Sequence, residues 1–379
     1  MTASVAEVPV LAIEPFPGLD ALGAWWRDLE ARADARLFLA WPWVGAFLAE
    51  AAIVPRLATA RADGLLVGLG FLQDAALRRH RGLVRSRTLF VNQAGDSAVD
   101  CVYPEYNGFL VDRRFGAGLE ARMMSFLMQS PQARPCDELR FAGVPERYLD
   151  HARATGMAVR IHNDSGTAMV DLDAVRRAGG DYVEQLSSNR RYQLRRAQRQ
   201  YGTVGPLALD AAADVTAALR FLDALADLHQ RYWTGRGQPG AFGPPFALRF
   251  HRRLVAEALP QGAVELLRVR AGEQVVGYLY NLVWRGWVGA YASGFAYGDD
   301  PKATPGYVCY ALAVERHLAL GSRAFDFMAG ESRYKTSLGK PGERLVWFDL
   351  QQPRLALKLE AMLRRWKGSA RPVAAEQEE

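Results

Sequence analysis

Apolar and polar positions alternate along the chain with two periods, and they change over often enough to predict a mixed helix and strand protein. In the first half, a polar helix is predicted over Leu19–Arg32, followed by a Trp- and Phe-rich helix over Phe38–Ala51. Strands Leu57–Arg61 and Leu65–Gln73 bracket the turn Ala62-Asp63-Gly64. A basic stretch, Arg78–Arg87, precedes a strand near Thr88–Asn92. Helix Gly116–Met128, strand Glu138–Ala142, helix Pro145–Thr155 and strand Met157–Ile161 complete the half.

The second half repeats this order. Its helices are predicted at Asp181–Tyr201, Ala211–Tyr232 and Pro245–Ala258. Strands Val264–Arg270, Gln274–Trp284 and Trp287–Ser293 follow, separated by turns at Ala271-Gly272-Glu273 and Arg285-Gly286. Helix Gly306–Leu320 then connects to strand Ala324–Met328, and Arg344–Leu350 is a last strand. The recurrence of helices, antiparallel strands and a strand-helix-strand crossover predicts a duplicated architecture. Polar and glycine-rich breaks place the boundary at Asn163–Gly180, with a first domain over 1–165 and a second over 166–379.

A length of 379 residues, with half of them hydrophobic, suits two packed domains better than one. No stretch approaches the roughly 20 apolar residues of a membrane span, and the first residues lack a basic start with an apolar run, so the expectation is a soluble, cytoplasmic protein. Three well-separated cysteines, Cys101, Cys136 and Cys309, have no metal or redox spacing and read as reduced core residues. The formal net charge of +6 fits an anionic ligand, and Arg190, Arg191, Arg195, Arg196 and Arg199 fall within ten residues.

Candidate chemistry concentrates in the crossover. Thr304 is placed to cap the helix that Pro305 and Gly306 open, and the free amides of such a helix point into the crevice at the carboxyl ends of the strands. A phosphate could bind there, which makes Lys302, Thr304, Gly306 and Tyr307 the candidate donor-binding residues; the competing reading makes Thr304-Pro305-Gly306 a good helix start and nothing more. Beyond the next strand stand Asp326, Glu331, Tyr334 and Lys335. Tyr334 is the candidate acid and Glu331 or Asp326 the candidate base; the competing reading has Asp326 alternating out of a short strand, Glu331 capping a helix, and Tyr334-Lys335 as a solvated first turn. Tyr291 and Ser293 share a face with Gly289 by the two-residue period and are candidates for the acceptor pocket. Arg191, Arg195 and Arg199 form one stripe on their helix, which is either a solvated face or, with Arg190, an anion clamp. Tyr232 and Trp233 precede a glycine-rich loop, Thr234–Gly240, long enough to be a lid. Serine-hydrolase elbows, metal-protease, calcium and nucleotide-binding loop motifs are missing, which leaves covalent, metal and nucleoside-triphosphate chemistry without support.

Four stretches resemble one family in their order and spacing. They are Leu186-Ser187-Ser188-Asn189-Arg190-Arg191 with Arg195-Arg196; Tyr232-Trp233; Pro305-Gly306; and Phe325-Asp326-Phe327-Met328-Ala329-Gly330-Glu331-Ser332-Arg333-Tyr334-Lys335. From Asp181 to about Leu350 the chain resembles the GNAT superfamily, in the BioF2-like or CelD-like acetyltransferase branch related to Fem-type aminoacyl transferases. The resemblance implies an α+β fold of tandem GNAT-like lobes, each a mixed, mainly antiparallel sheet flanked by helices, the first lobe being a degenerate copy. It also implies acyl-CoA as co-substrate, no metal, and an amine of a small molecule, glycan or cell-envelope precursor as acceptor. Arg190, Arg191, Arg195, Tyr232, Trp233, Tyr291 and Lys335 would bind substrate. Lys302-Ala303-Thr304-Pro305-Gly306-Tyr307 offers one glycine where the family's pyrophosphate loop has several. An aminoacyl-tRNA donor and a non-catalytic role in surface-polymer assembly remain as alternatives; no heptad-patterned arm of the Fem type is present.

Overall fold

A computed structural model describes residues 8–133, 136–298, 300, 303–330 and 333–368. It divides into two compact units, one of residues 1–164 with 344–379 and the other of residues 165–343.

In chain order the first unit contains β1 (Val10–Glu14), α1 (Leu19–Glu30), α2 (Trp41–Ala51), β2 (Arg56–Ala62), β3 (Leu65–Arg79), β4 (Val84–Val91), β5 (Leu110–Val111), α3 (Gly116–Gln129), β6 (Glu138–Pro145) and α4 (Arg147–Ala154). β7 (Ala158–Asp171) leaves it. Strands β1 to β4 pair antiparallel in sequence order, whereas β6 runs parallel to β4 over Thr88↔Glu138 to Phe90↔Arg140. The core joins Leu89, Val91, Leu139 and Phe141 to Met123 and Leu127 of α3 and Tyr148 of α4.

The second unit repeats the arrangement. It contains the end of β7, α5 (Leu172–Arg177), α6 (Ser188–Gly202), β8 (Leu207–Ala211), α7 (Val215–Thr234), α8 (Pro245–Ala258), β9 (Val264–Ala271), β10 (Gln274–Trp284), β11 (Trp287–Phe295), α9 (Pro305–Ala319), β12 (Ala324–Ala329) and α10 (Arg333–Leu338). β8 to β11 pair antiparallel in order, and β12 runs parallel to β11. Each unit is thus a mixed, mainly antiparallel sheet with flanking helices and a helical crossover before its parallel strand.

β13 (Lys340–Gln351) pairs through Leu345–Gln351 with β6, and α11 (Leu355–Gly368) follows it. The segment from Arg344 on therefore belongs to the first unit. Conversely, Thr167–Asp171 of β7 pair antiparallel with β12. The strand that follows β6 thus ends in the second unit, and most of the strand that follows β12 lies in the first.

Local sequence accounts for the best-defined elements. Pro245 opens α8, and Phe246, Phe250 and Leu254 recur at helical spacing on its buried face. Each contributes about 1.5–3 kcal/mol by burial. Asp214 caps α7 by accepting from the Ala217 amide at 2.7 Å. α6 departs from expectation: a 3-10 turn occupies Val183–Gln185, Leu186 is extended, and the α-helix begins at Ser188, where Ser187 accepts from the Arg190 amide. The polar run His162–Gly166, where a break between domains is expected to begin, is continuous strand within β7. Its mostly exposed side chains carry no apolar alternation, which hid the strand from a pattern reading.

Candidate functional site

β11 and β12 form only three parallel pairs, Trp287↔Ala324, Val288↔Phe325 and Gly289↔Asp326. The side chain of Asp326 explains why they part. Its carboxylate is fully buried, accepting from the Trp287 indole N–H at 3.2 Å and from the Met328 amide at 2.8 Å. Met328 is held with φ at 65°, and the β12–β7 register slips between Asp326 and Ala329. Left-handed backbone at a non-glycine residue costs about 1–3 kcal/mol, so local bonds must hold it. Past Gly289, β11 stays paired to β10 on one edge, and no described strand pairs its other edge. Asp326, the sequence-level candidate base, thus builds the divergence of the strands and is no solvent-facing group.

The first turns of α9 pack against Phe295 of β11, beside this open edge. A Cβ on Gly306 would lie 3.2 Å from the Phe295 ring, so the glycine allows α9 to approach β11 closely. Behind it, the buried Tyr310 ring packs edge-on against Phe295 and Phe327 and stacks on Tyr334, with centroids 5.8 Å apart and planes 15° apart. The Tyr310 hydroxyl is hydrogen-bonded to Ser293 and Tyr334, while burial raises its pKa. Tyr334 is half-buried, at the margin of this cluster. Lys335 folds back along Gly330, whose φ is 125°, and donates to the Ala329 carbonyl at 2.5 Å. Glu331 and Lys302 lie outside the described residues.

At the start of α9 the backbone departs from a simple cap. Thr304 takes a left-handed conformation, φ 38° and ψ 61°, and its side chain caps nothing. Its hydroxyl is buried without a partner among the described residues. Strain at a β-branched residue together with an unsatisfied hydroxyl is the kind of arrangement that concentrates at ligand sites.

Arg190 reaches the same place from α6. It lies on the inner side of that helix, one turn before Leu194, with its guanidinium 4.5 Å over the Tyr307 ring. One nitrogen donates to the Tyr307 hydroxyl and to Gln193 Oε1. Arg191 and Arg195 turn elsewhere: Arg191 donates to the Glu184 and Leu186 carbonyls, and Arg195 pairs with Glu184 at 2.6 Å. Five residues separate Arg190 from Arg195, about 140° around a helix, so the two do not form one clamp.

The remaining candidates form a wall. Tyr232 stacks on Tyr297 at 4.8 Å and carries Arg236 over its ring at 3.7 Å. Tyr297 in turn meets Phe295. Trp233 packs against Tyr232 and His229. His229 Nε2 accepts from the Ala241 amide, so its Nδ1 carries the proton and donates to the Ser293 carbonyl at 3.0 Å. This pins the loop after α7 to β11, and burial lowers the His229 pKa. Tyr291 stands apart from Ser293 because the β10–β11 register shifts at Tyr280/Asn281. That bulge reverses the expected alternation: Tyr291 packs on His251 and Tyr280, whereas Ser293 faces Tyr310. His251, wholly buried there, has its pKa lowered to about 3 by desolvation.

The structure therefore brings Arg190, Thr304, Gly306 and Tyr307 together at one end of the open edge, with Tyr334 and Tyr310 along it. Tyr310 and Gln193 are not among the residues singled out from the sequence: a tyrosine at the helical spacing of core residues and a glutamine on a polar helix carry no local sign of a site. A separate groove of about 640 Å³ lies at the far end of α9, lined in part by Glu265, Arg316, His317 and Ser322. There Glu265 pairs with His317 at 2.9 Å and Arg316 at 2.8 Å. Among the described residues no group of three His, Cys, Asp or Glu could hold a metal ion, and no helix is long and apolar enough to cross a membrane.

Residues 188–336 match the family model described as an acetyltransferase (GNAT) domain. No curated protein sequence matches the chain. Among solved structures, FemX is similar at 10% identity and a TM-score of 0.57, covering 91% of this chain and 98% of FemX. L-PGS from Bacillus licheniformis is similar at 13% identity and 0.53, covering 96% and 98%. A conserved protein of unknown function from Bacteroides thetaiotaomicron is similar at 9% identity and 0.52, covering 90% and 100%. At these identities the likeness is one of fold.

Proposed function

We propose that the protein, whose residues 188–336 match the acetyltransferase (GNAT) domain model, is an N-acyltransferase, moving an acyl group from acyl-CoA to an amine of a small molecule or a polysaccharide or cell-envelope precursor. The observation that carries this reading is the parting of β11 and β12 after three pairs, beside the start of α9 and the Arg190–Tyr307 contact.

The unpaired edge of β11 offers backbone groups to an extended donor arm. The amides opening α9, with Arg190 beside them, supply positive potential for the donor's phosphates. In the transfer, the acceptor nitrogen attacks the thioester carbonyl, forming the C–N bond as the C–S bond breaks. The proton lost from nitrogen passes to water, and the departing sulfur takes a proton from the Tyr334 hydroxyl. The hydrogen bond with Tyr310 orients that hydroxyl. Asp326 is the positioning residue that keeps the strands apart.

The test is release of free thiol from a series of acyl-CoAs, with amino sugars, amino acids and polyamines as acceptors. Acceptor-dependent release, lost in Tyr334→Phe, supports the reading. Transfer from a charged tRNA alone would shift the donor to an aminoacyl ester, and binding of acyl-CoA with no turnover would favour a binding protein.

A further inference from the structure

The basic stretch Arg78–Arg87 plays no part in the acyl-transfer site. β2 pairs with β3 only as far as Leu72, and β6 pairs with β4 only over Thr88–Phe90. Between these limits Ala76–Arg79 and Val84–Arg87 form a two-stranded arm with no further strand beside it among the described residues. One face of the arm is fixed to the first unit. Arg79 donates to Glu138 at 2.8 Å and to Ser86 Oγ at 3.2 Å, and lies 3.4 Å from Glu360 of α11.

The opposite face displays Arg78, Arg85 and Arg87, all exposed. None of their side chains makes an ion pair or hydrogen bond among the described residues. Arg78 and Arg85 stand directly opposite each other in the ladder. Like charges so placed destabilise a strand pair, so this face gains from an anionic partner and not from folding. At the end of the arm Leu83 is 86% exposed. Strand rise puts Arg85 about 7 Å behind it.

We propose that this arm docks the protein on an anionic lipid bilayer, with Leu83 entering the headgroup layer and the three arginines lying against lipid phosphates. A nucleic acid would satisfy the arginines but gives an aliphatic tip nothing to enter. A second copy of the chain would bring arginine against arginine.

The test is co-sedimentation of the full chain with vesicles of phosphatidylcholine, alone or mixed with phosphatidylglycerol. Binding is expected with the mixed vesicles only, weakening as salt rises. At about 1 kcal/mol per arginine near the surface, R78Q/R85Q/R87Q should weaken binding about 100-fold. L83S should weaken it about fivefold and leave the salt dependence unchanged. Cooperative melting curves with midpoints at or above that of the wild type, as relief of the Arg78–Arg85 repulsion predicts for the triple variant, establish that the variants are folded. Equal partition of the folded triple variant and the wild type overturns the proposal. So does equal binding to neutral vesicles, or binding to a polyuridine RNA without binding to vesicles.

Discussion

Replacing Asp326 separates a structural carboxylate from a catalytic one. In Asp326→Ala the Trp287 indole N–H and the Met328 amide lose their buried acceptor. A buried donor left unsatisfied costs about 1–3 kcal/mol, so the pair of losses amounts to about 2–6 kcal/mol. In Asp326→Asn the amide oxygen can still accept from Met328, but the amide NH2 then faces the indole N–H. The indole N–H and the new NH2 are then both left without an acceptor there, at a cost of about 1–3 kcal/mol each. Urea unfolding of the wild type and both variants, with amide exchange following β11 and β12, measures these costs. Both variants are expected to fall below the wild type by at least about 1 kcal/mol, with exchange at Met328 and its neighbours accelerated more in Asp326→Ala, which alone removes the acceptor of the Met328 amide. Trp287→Phe removes the other partner of one bond, so the double variant with Asp326→Asn should show a coupling of about 1–2 kcal/mol. If Asp326→Asn stays within about 0.5 kcal/mol of the wild type while turnover collapses, the carboxylate is a reacting group and the structural reasoning is wrong.

Other consequences concern the donor, the acid and pH. Arg190→Ala should weaken acyl-CoA binding about 10- to 100-fold, the value of a charge-assisted hydrogen bond to phosphate, while Arg195→Ala, already paired with exposed Glu184, should change it less than about threefold; titration calorimetry compares them. Tyr334→Phe should lower turnover about 100-fold or more with donor affinity unchanged, as steady-state rates and calorimetry together would show. Asp349 is fully buried; burial alone would raise its pKa, but hydrogen bonds and charge from Arg140 and His162 outweigh this and lower it from 3.8 to about 2. Its folded pKa lies below its unfolded one, so its stabilisation, about 2 kcal/mol, is present above pH 3.8 and lost as pH falls through 2. In urea titrations the stability gap between wild type and Asp349→Asn should therefore narrow over that window.

What could be read from the sequence follows from where the physical cause is local. α8 and β10 have the predicted limits because Pro245 starts one and tight turns flank the other. The crossover was legible through Pro305 and the apolar surround of α9. The conformation of Thr304 was not, since a threonine before a proline reads as an ordinary cap, whereas its left-handed backbone belongs to the loop as a whole. The burial of Asp326 depends on Trp287, 39 residues away in sequence. Tyr310 carries the helical spacing of core residues, and only the packing of α9 on β11 shows where its hydroxyl goes. The bulge that turns Tyr291 away from Ser293 is a property of strand pairing, which alternation along one strand cannot reveal.

The most direct measurement is a crystal structure of the protein with a non-hydrolysable acyl-CoA. The account expects the pyrophosphate at the first turn of α9 within hydrogen-bond reach of Arg190, and the acyl carbonyl between β11 and β12 beside Tyr334. Acyl-CoA bound in the groove at the far end of α9, or along the sheet without touching the unpaired edge of β11, would contradict it.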